Sequence, residues 1–138
     1  MFLDKELHGA LKSPPVGDEE LFGELRAELA SFTTLRWITP EYLWLLNPKN
    51  RGAWEIKFRR IEPQIRVFGH FAGKDVFLAL SYNYRSDLGD IDNQNWTFEI
   101  RKIEHRWKDL FFGRYHAKKT SDPHELFTGA IDAKYFYD

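Results

Sequence analysis

The sharpest hydrophobic pattern lies at residues 54–59, where Trp54, Ile56 and Phe58 alternate with Glu55, Lys57 and Arg59. A period of two predicts a strand with one apolar and one charged face. Two more runs follow, and the spacing predicts strands over about 53–59, 64–72 and 75–83. Pro63 and Gln64 open the middle run, where proline is tolerated. Gly73 and Asp75, inside FAGKDV, predict a tight hairpin. Downstream, Trp96, Ile100, Ile103, Trp107 and Leu110 recur at helical spacing, with Asn95 as the expected N-cap. Upstream, Leu21, Phe22, Leu25, Leu29 and Phe32 predict another helix, its first turn crowded by Asp18, Glu19 and Glu20. TPEYLWLL predicts a short helix with Thr39 as N-cap and Pro40 at its first position. Residues 1–16 read as an irregular, flexible arm and 113–138 as a tail.

The order is helix, short helix, three antiparallel strands, long helix, tail. That predicts an α+β fold: N-terminal helices, a small antiparallel sheet of three or more strands and a long C-terminal helix. A length of 138 residues suits one domain spanning 1–138. No cysteine is present, which excludes disulfides, thiolate catalysis and thiolate-bound zinc. The start, MFLDKELHGALK, lacks the basic and apolar regions of a signal peptide, and no apolar run is long enough for a bilayer. A soluble cytoplasmic protein is the expectation.

The formal net charge of −1 argues against a generic nucleic-acid binder. Its distribution is uneven, however. Residues 49–119 carry fifteen bases and nine acids, whereas residues 1–30 carry seven acids and three bases. Within the basic stretch, Lys57 and Arg59 point away from the apolar face, and Arg66, between Ile65 and Val67, does the same. In a meander Lys57 and Arg66 meet across one face, with Arg85 just past the third strand. Clustered cations there suit a phosphate and the charge of a phosphoryl transition state. The competing reading is a solvated face whose cations only maintain solubility. His70 is in phase with Arg66 and is a candidate general base. Tyr82 and Tyr84, beside Arg85, are placed to stack on bases or merely to edge the sheet. His116, Asp122 and His124 share a loop whose spacing does not specify a metal site, and no HExxH, phosphate loop or nucleophile elbow occurs.

AWEIKF, PQIRVFGHF and DVFLALSYNYR, followed by the Trp-rich basic helix, resemble the RelE/ParE-like toxins, in particular their HigB-like, phage-related branch. The resemblance covers residues 53–112, a little under half of the chain. It implies a RelE-like fold and a toxin of a toxin–antitoxin pair. Such a toxin is a metal-independent endoribonuclease that cuts mRNA, commonly on the ribosome, by activating a 2′-hydroxyl against the adjacent phosphate. It needs no cofactor, and a cognate antitoxin, often with a helix-turn-helix, neutralises it. Carried over, Lys57, Arg66 and Arg85 match the basic positions of successive strands, with Tyr84 or His70 for proton transfer. YHAKKTSDPHEL resembles the closing segment of HigB-like proteins as well. In that register His116, Lys118 and Lys119 replace Arg85 in the site. The acidic total departs from the strongly basic ribosome-acting members. It motivates an alternative, a non-catalytic protein-binding module on the same scaffold, either a gyrase-poisoning relative or a phage-encoded inhibitor. An antitoxin-like role lacks the basic helix-turn-helix it would require.

Overall fold

The computed structural model describes residues 1–33, 37–38, 41–128 and 130–131. Its centre is an antiparallel meander, β4 (Trp54–Phe58), β5 (Ile65–Gly73) and β6 (Val76–Tyr84), at the expected places. The hairpin between β5 and β6 is tight: Gly73 pairs with Val76, and Asp75 takes a positive φ of 62°. Aspartate tolerates that conformation better than most side chains.

The sheet is larger than expected and mixed. β1 (Phe2–Leu3) pairs parallel to β6, and β3 (Leu43–Leu45) pairs antiparallel to β4, giving the order β1-β6-β5-β4-β3. β1 and α1 (Lys5–Lys12) occupy the stretch that the sequence suggested was an irregular arm. Asp4 caps α1 by accepting from the Glu6 backbone N–H at 3.0 Å. Leu7 and Leu11 bury the helix on the sheet. β3 replaces the short helix expected from TPEYLWLL; its cap, Thr39 and Pro40, lies outside the described residues. Leu43 and Leu45 are buried and Trp44 half-buried, so the run alternates, and the open edge of β4 supplies its hydrogen bonds.

Helices cover both faces. α2 (Glu19–Thr33) lays Leu21, Phe22, Leu25 and Leu29 on the side of Trp54, Ile56, Ile65, Val67 and Phe71. α4 (Gln94–Phe111) lays Trp96, Ile100, Ile103 and Trp107 on the other side, against Phe68, Leu78 and Leu80. α4 begins two residues earlier than expected: Asn93, not Asn95, is the N-cap and accepts from the Asn95 N–H at 3.0 Å. Leu110 drops out of the buried stripe at 38% exposure. Nor is α4 the C-terminal element. At Phe112 and Gly113 the backbone turns left-handed, and the following chain returns to the sheet, where the Lys118 N–H donates to the Phe71 carbonyl at 2.9 Å. A single turn, α3 (Arg85–Leu88), joins β6 to the loop before α4. Two short strands, β2 (Trp37–Ile38) and β7 (Ala130–Ile131), pair with each other in parallel.

A register shift between Phe68 and Gly69 lets β6 bring its backbone over Gly69. A Cβ built there would sit 1.9 Å from the Leu78 carbonyl oxygen and 2.7 Å from the Phe77 ring. Gly69→Ala therefore forces the central pair apart. A loss of at least about 1–3 kcal/mol is expected from such overpacking, read as a lower urea midpoint with unchanged slope.

Candidate functional site

The period of two in β4 and β5, with the register Lys57 opposite Arg66 and Arg66 opposite Asn83, lines up polar groups on the face that α4 covers. Glu55 joins them, two residues before Lys57 on the same strand. The Arg66 Nε lies 3.6 Å from one Glu55 carboxylate oxygen and the Lys57 Nζ 3.8 Å from the other. These are ion pairs beyond hydrogen-bond length. Arg66 Nη2 donates to the Gln64 side chain at 3.3 Å, while Arg66 Nε, Arg66 Nη1 and one Glu55 oxygen are buried without a hydrogen-bond partner. The Lys57 ammonium also sits 5.3 Å from the centre of the Trp44 ring, a cation–π contact.

This face is therefore not the solvated surface that the competing reading supposed. Arg66 is 5% exposed and Glu55 4%. Burial pushes the Glu55 carboxyl above its usual range, against the pull of Lys57, Arg66, Arg85 and Arg59. Burial likewise lowers the Lys57 ammonium, with Glu55 opposing. Two cations, Lys57 and Arg66, thus flank one buried carboxylate, which also feels Arg85 and Arg59. Next to it, buried Glu99 of α4 accepts from Ser81 Oγ at 2.8 Å, Asn83 Nδ2 at 3.1 Å and Lys102 Nζ at 3.2 Å. Its charge is already met by those donors.

The five residues singled out from the sequence do not form one site. Lys57 and Arg66 share Glu55. Arg85 lies just past β6, as expected, and opens α3. It stacks 5.3 Å from the Trp96 ring centre and donates to the Gly89 carbonyl at 2.7 Å, yet its charge still reaches Glu55 and Arg66. Tyr84 belongs to the opposite face. Its hydroxyl donates to Asp18 Oδ2 at 2.8 Å, and burial together with that bond pushes its pKa up to about 12. Tyr82 packs edge-on against Phe22 on the same side.

His70 shares the face of Arg66 but lies four residues farther along β5, about 13 Å away at strand rise. His116 and Lys119 gather around His70, not around Arg85, so the second register builds a separate place rather than an alternative edge of the first. Asp122 caps a short turn by accepting from the His124 N–H at 3.0 Å. Among the described residues, no cluster of three or more His, Asp or Glu is placed to hold a metal ion. Glu55 is the group that reasoning from cationic spacing missed. Its phase with Lys57 was the available signal, because the alternation that turns Lys57 onto this face turns Glu55 with it.

The chain matches no protein-family model, no curated protein and no solved structure.

The His70 ring gives a direct test of this geometry. Its Nδ1 sits 2.7 Å from the Gly52 carbonyl oxygen, and burial depresses its pKa below the ordinary 6.5. A depressed value means that the unfolded chain takes up the proton first. Stability is therefore expected to fall as pH drops through 6.5 toward the folded value. His70→Gln should lose less stability than wild type over that window in paired urea titrations.

Proposed function

We propose that the protein binds an RNA phosphodiester at the Lys57–Arg66 cluster and cleaves it without a metal. This is the activity that the likeness to RelE/ParE-like toxins implies, with an antitoxin as the neutralising partner. One observation carries the reading: a buried carboxylate ion-paired with Lys57 and Arg66, with two guanidinium nitrogens of Arg66 lacking hydrogen-bond acceptors. A phosphate oxygen supplies what those donors lack. A recess of about 150 Å³ reaches Lys57, beside Tyr42, Arg59, Arg60, Glu28 and Glu41, and is where we place the approach of the RNA; its lining stops short of Glu55 and Arg66.

The chemistry follows from the two shifted groups. A carboxylate raised by burial is a better base than one in water, so Glu55 takes the proton of the 2′-hydroxyl. The 2′-oxygen then bonds to phosphorus, the bond from phosphorus to the 5′-oxygen breaks, and a 2′,3′-cyclic phosphate results. The lowered Lys57 ammonium gives its proton to the departing 5′-oxygen. Arg66 and Arg85 balance the charge that builds on the phosphoryl oxygens.

The same burial favours a second reading, the non-catalytic protein-binding module. Groups as enclosed as Glu55 and Arg66 serve equally as a buried polar anchor between β4 and β5, with no substrate to meet. Incubation of purified protein with mRNA in EDTA, and separately with ribosomes in magnesium buffer that keeps them assembled, separates the two. Cleavage to 2′,3′-cyclic ends is expected, with Glu55→Gln and Lys57→Met each lowering the rate by about 100-fold while circular dichroism stays native. Wild-type protein that neither cuts RNA nor arrests growth on expression removes the nuclease reading. Recovery of one protein partner, undisturbed by Lys57→Ala, establishes the second.

A further inference from the structure

We infer that the cavity around His70 is a binding site for a nucleoside monophosphate, separate from the Glu55 cluster and independent of the RNA-cleavage reading. The cavity encloses about 280 Å³. That is near the lower end of small-ligand pockets, suited to one heteroaromatic ring with its polar substituent at the mouth. Its making is tertiary. After α4 ends, residues 112–119 fold back as a strap. The Trp107 Nε1–H donates to the Tyr115 carbonyl at 2.8 Å, and the Lys118 N–H to the Phe71 carbonyl at 2.9 Å. Gly52 lies directly under the strap: a Cβ there would be 2.4 Å from the Lys118 carbonyl oxygen. Absence of that atom lets the strap close.

Three features of the lining define the ligand. First, Trp107 and Tyr115 give an aromatic wall for a flat ring. Second, His70 is 2% exposed and fixed from two sides, by the Gly52 carbonyl and by an edge-on contact with Trp107 at 5.7 Å. A carbonyl can only accept, so Nδ1 carries the hydrogen and, in the neutral ring, Nε2 is left as an acceptor. His70 lines the cavity, so we pair that acceptor with a ligand N–H, which a nucleobase has and a bare anion lacks. Third, the charges at the cavity are mostly positive. Glu104 is paired with Arg51, leaving Lys108 and Lys119 for an anionic group, with His116 beside them. Ring, N–H donor and anion together describe a nucleotide better than an inorganic ion or a neutral ring.

Calorimetric titration of the full chain with AMP, GMP, CMP and UMP tests this, with adenosine and inorganic phosphate as controls. At least one monophosphate is expected to bind with a Kd below about 1 mM, adenosine about tenfold more weakly, and phosphate not measurably. Exposed Lys119→Ala should weaken the nucleotide about tenfold and leave adenosine unchanged. His70→Phe should weaken both. No binding by any monophosphate overturns the proposal. So does inorganic phosphate binding as tightly as the nucleotide, which would mean an anion site without a base pocket. A monophosphate that binds protein unable to cut RNA sustains this site while removing the nuclease reading.

Discussion

Strand β5 is paired on both sides along most of its length, and its register with β4 and β6 decides where every other group goes. Ile65, Val67 and Phe71 enter one core, with α1 and α2 above them. Arg66, Phe68 and His70 enter the other, beneath α4 and the returning strap. A slip of one residue would exchange these sets and drive a guanidinium into the cluster of Leu25, Trp54 and Ile56. The shift at Phe68 and Gly69 keeps both registers satisfied across a twisted central pair.

The same constraint sets the electrostatic character of the α4 face. Packing over a face that carries Glu55, Lys57 and Arg66 removes three charges from much of their water. Such burial costs several kcal/mol per ion unless partners compensate. Compensation here is uneven. Glu99 has three donors, whereas Glu55 and Arg66 keep atoms with none. A buried polar group short of partners is a liability for folding, and its persistence is a reason to look for a ligand.

Two places on one face thus divide the polar chemistry. Near the Gln64 end of β5, Lys57 and Arg66 share the buried carboxylate of Glu55. Toward the Gly73 end, the cations are carried by the strap, Arg51 and α4 around a neutral imidazole. Asp75 of the hairpin adds a tie at this end, accepting from the Thr128 N–H at 2.9 Å and the Thr128 hydroxyl at 3.0 Å. That tie holds the chain beyond the strap against the sheet.

Local pattern was enough to read β4, β5 and β6, the hairpin at Gly73 and Asp75, and the buried stripes of α2 and α4, because each is written in periods of 2 or 3.6 within a few residues. It also showed that Lys57 and Arg66 share a face. Pattern failed at LWL, where three residues are too few to separate the periods and the edge of β4 made the choice. It failed at Phe2 and Leu3, whose strand exists only because β6 offers them an edge. Alternation says that a side chain leaves one core; it does not say what covers the other side. The burial of Arg66, the shared Glu55 and the strap that closes over His70 come from α4 and residues 112–119 folding back onto the sheet. Those contacts join positions distant along the chain, so the sequence determined which residues were eligible for a site, and only tertiary packing decided which of them meet.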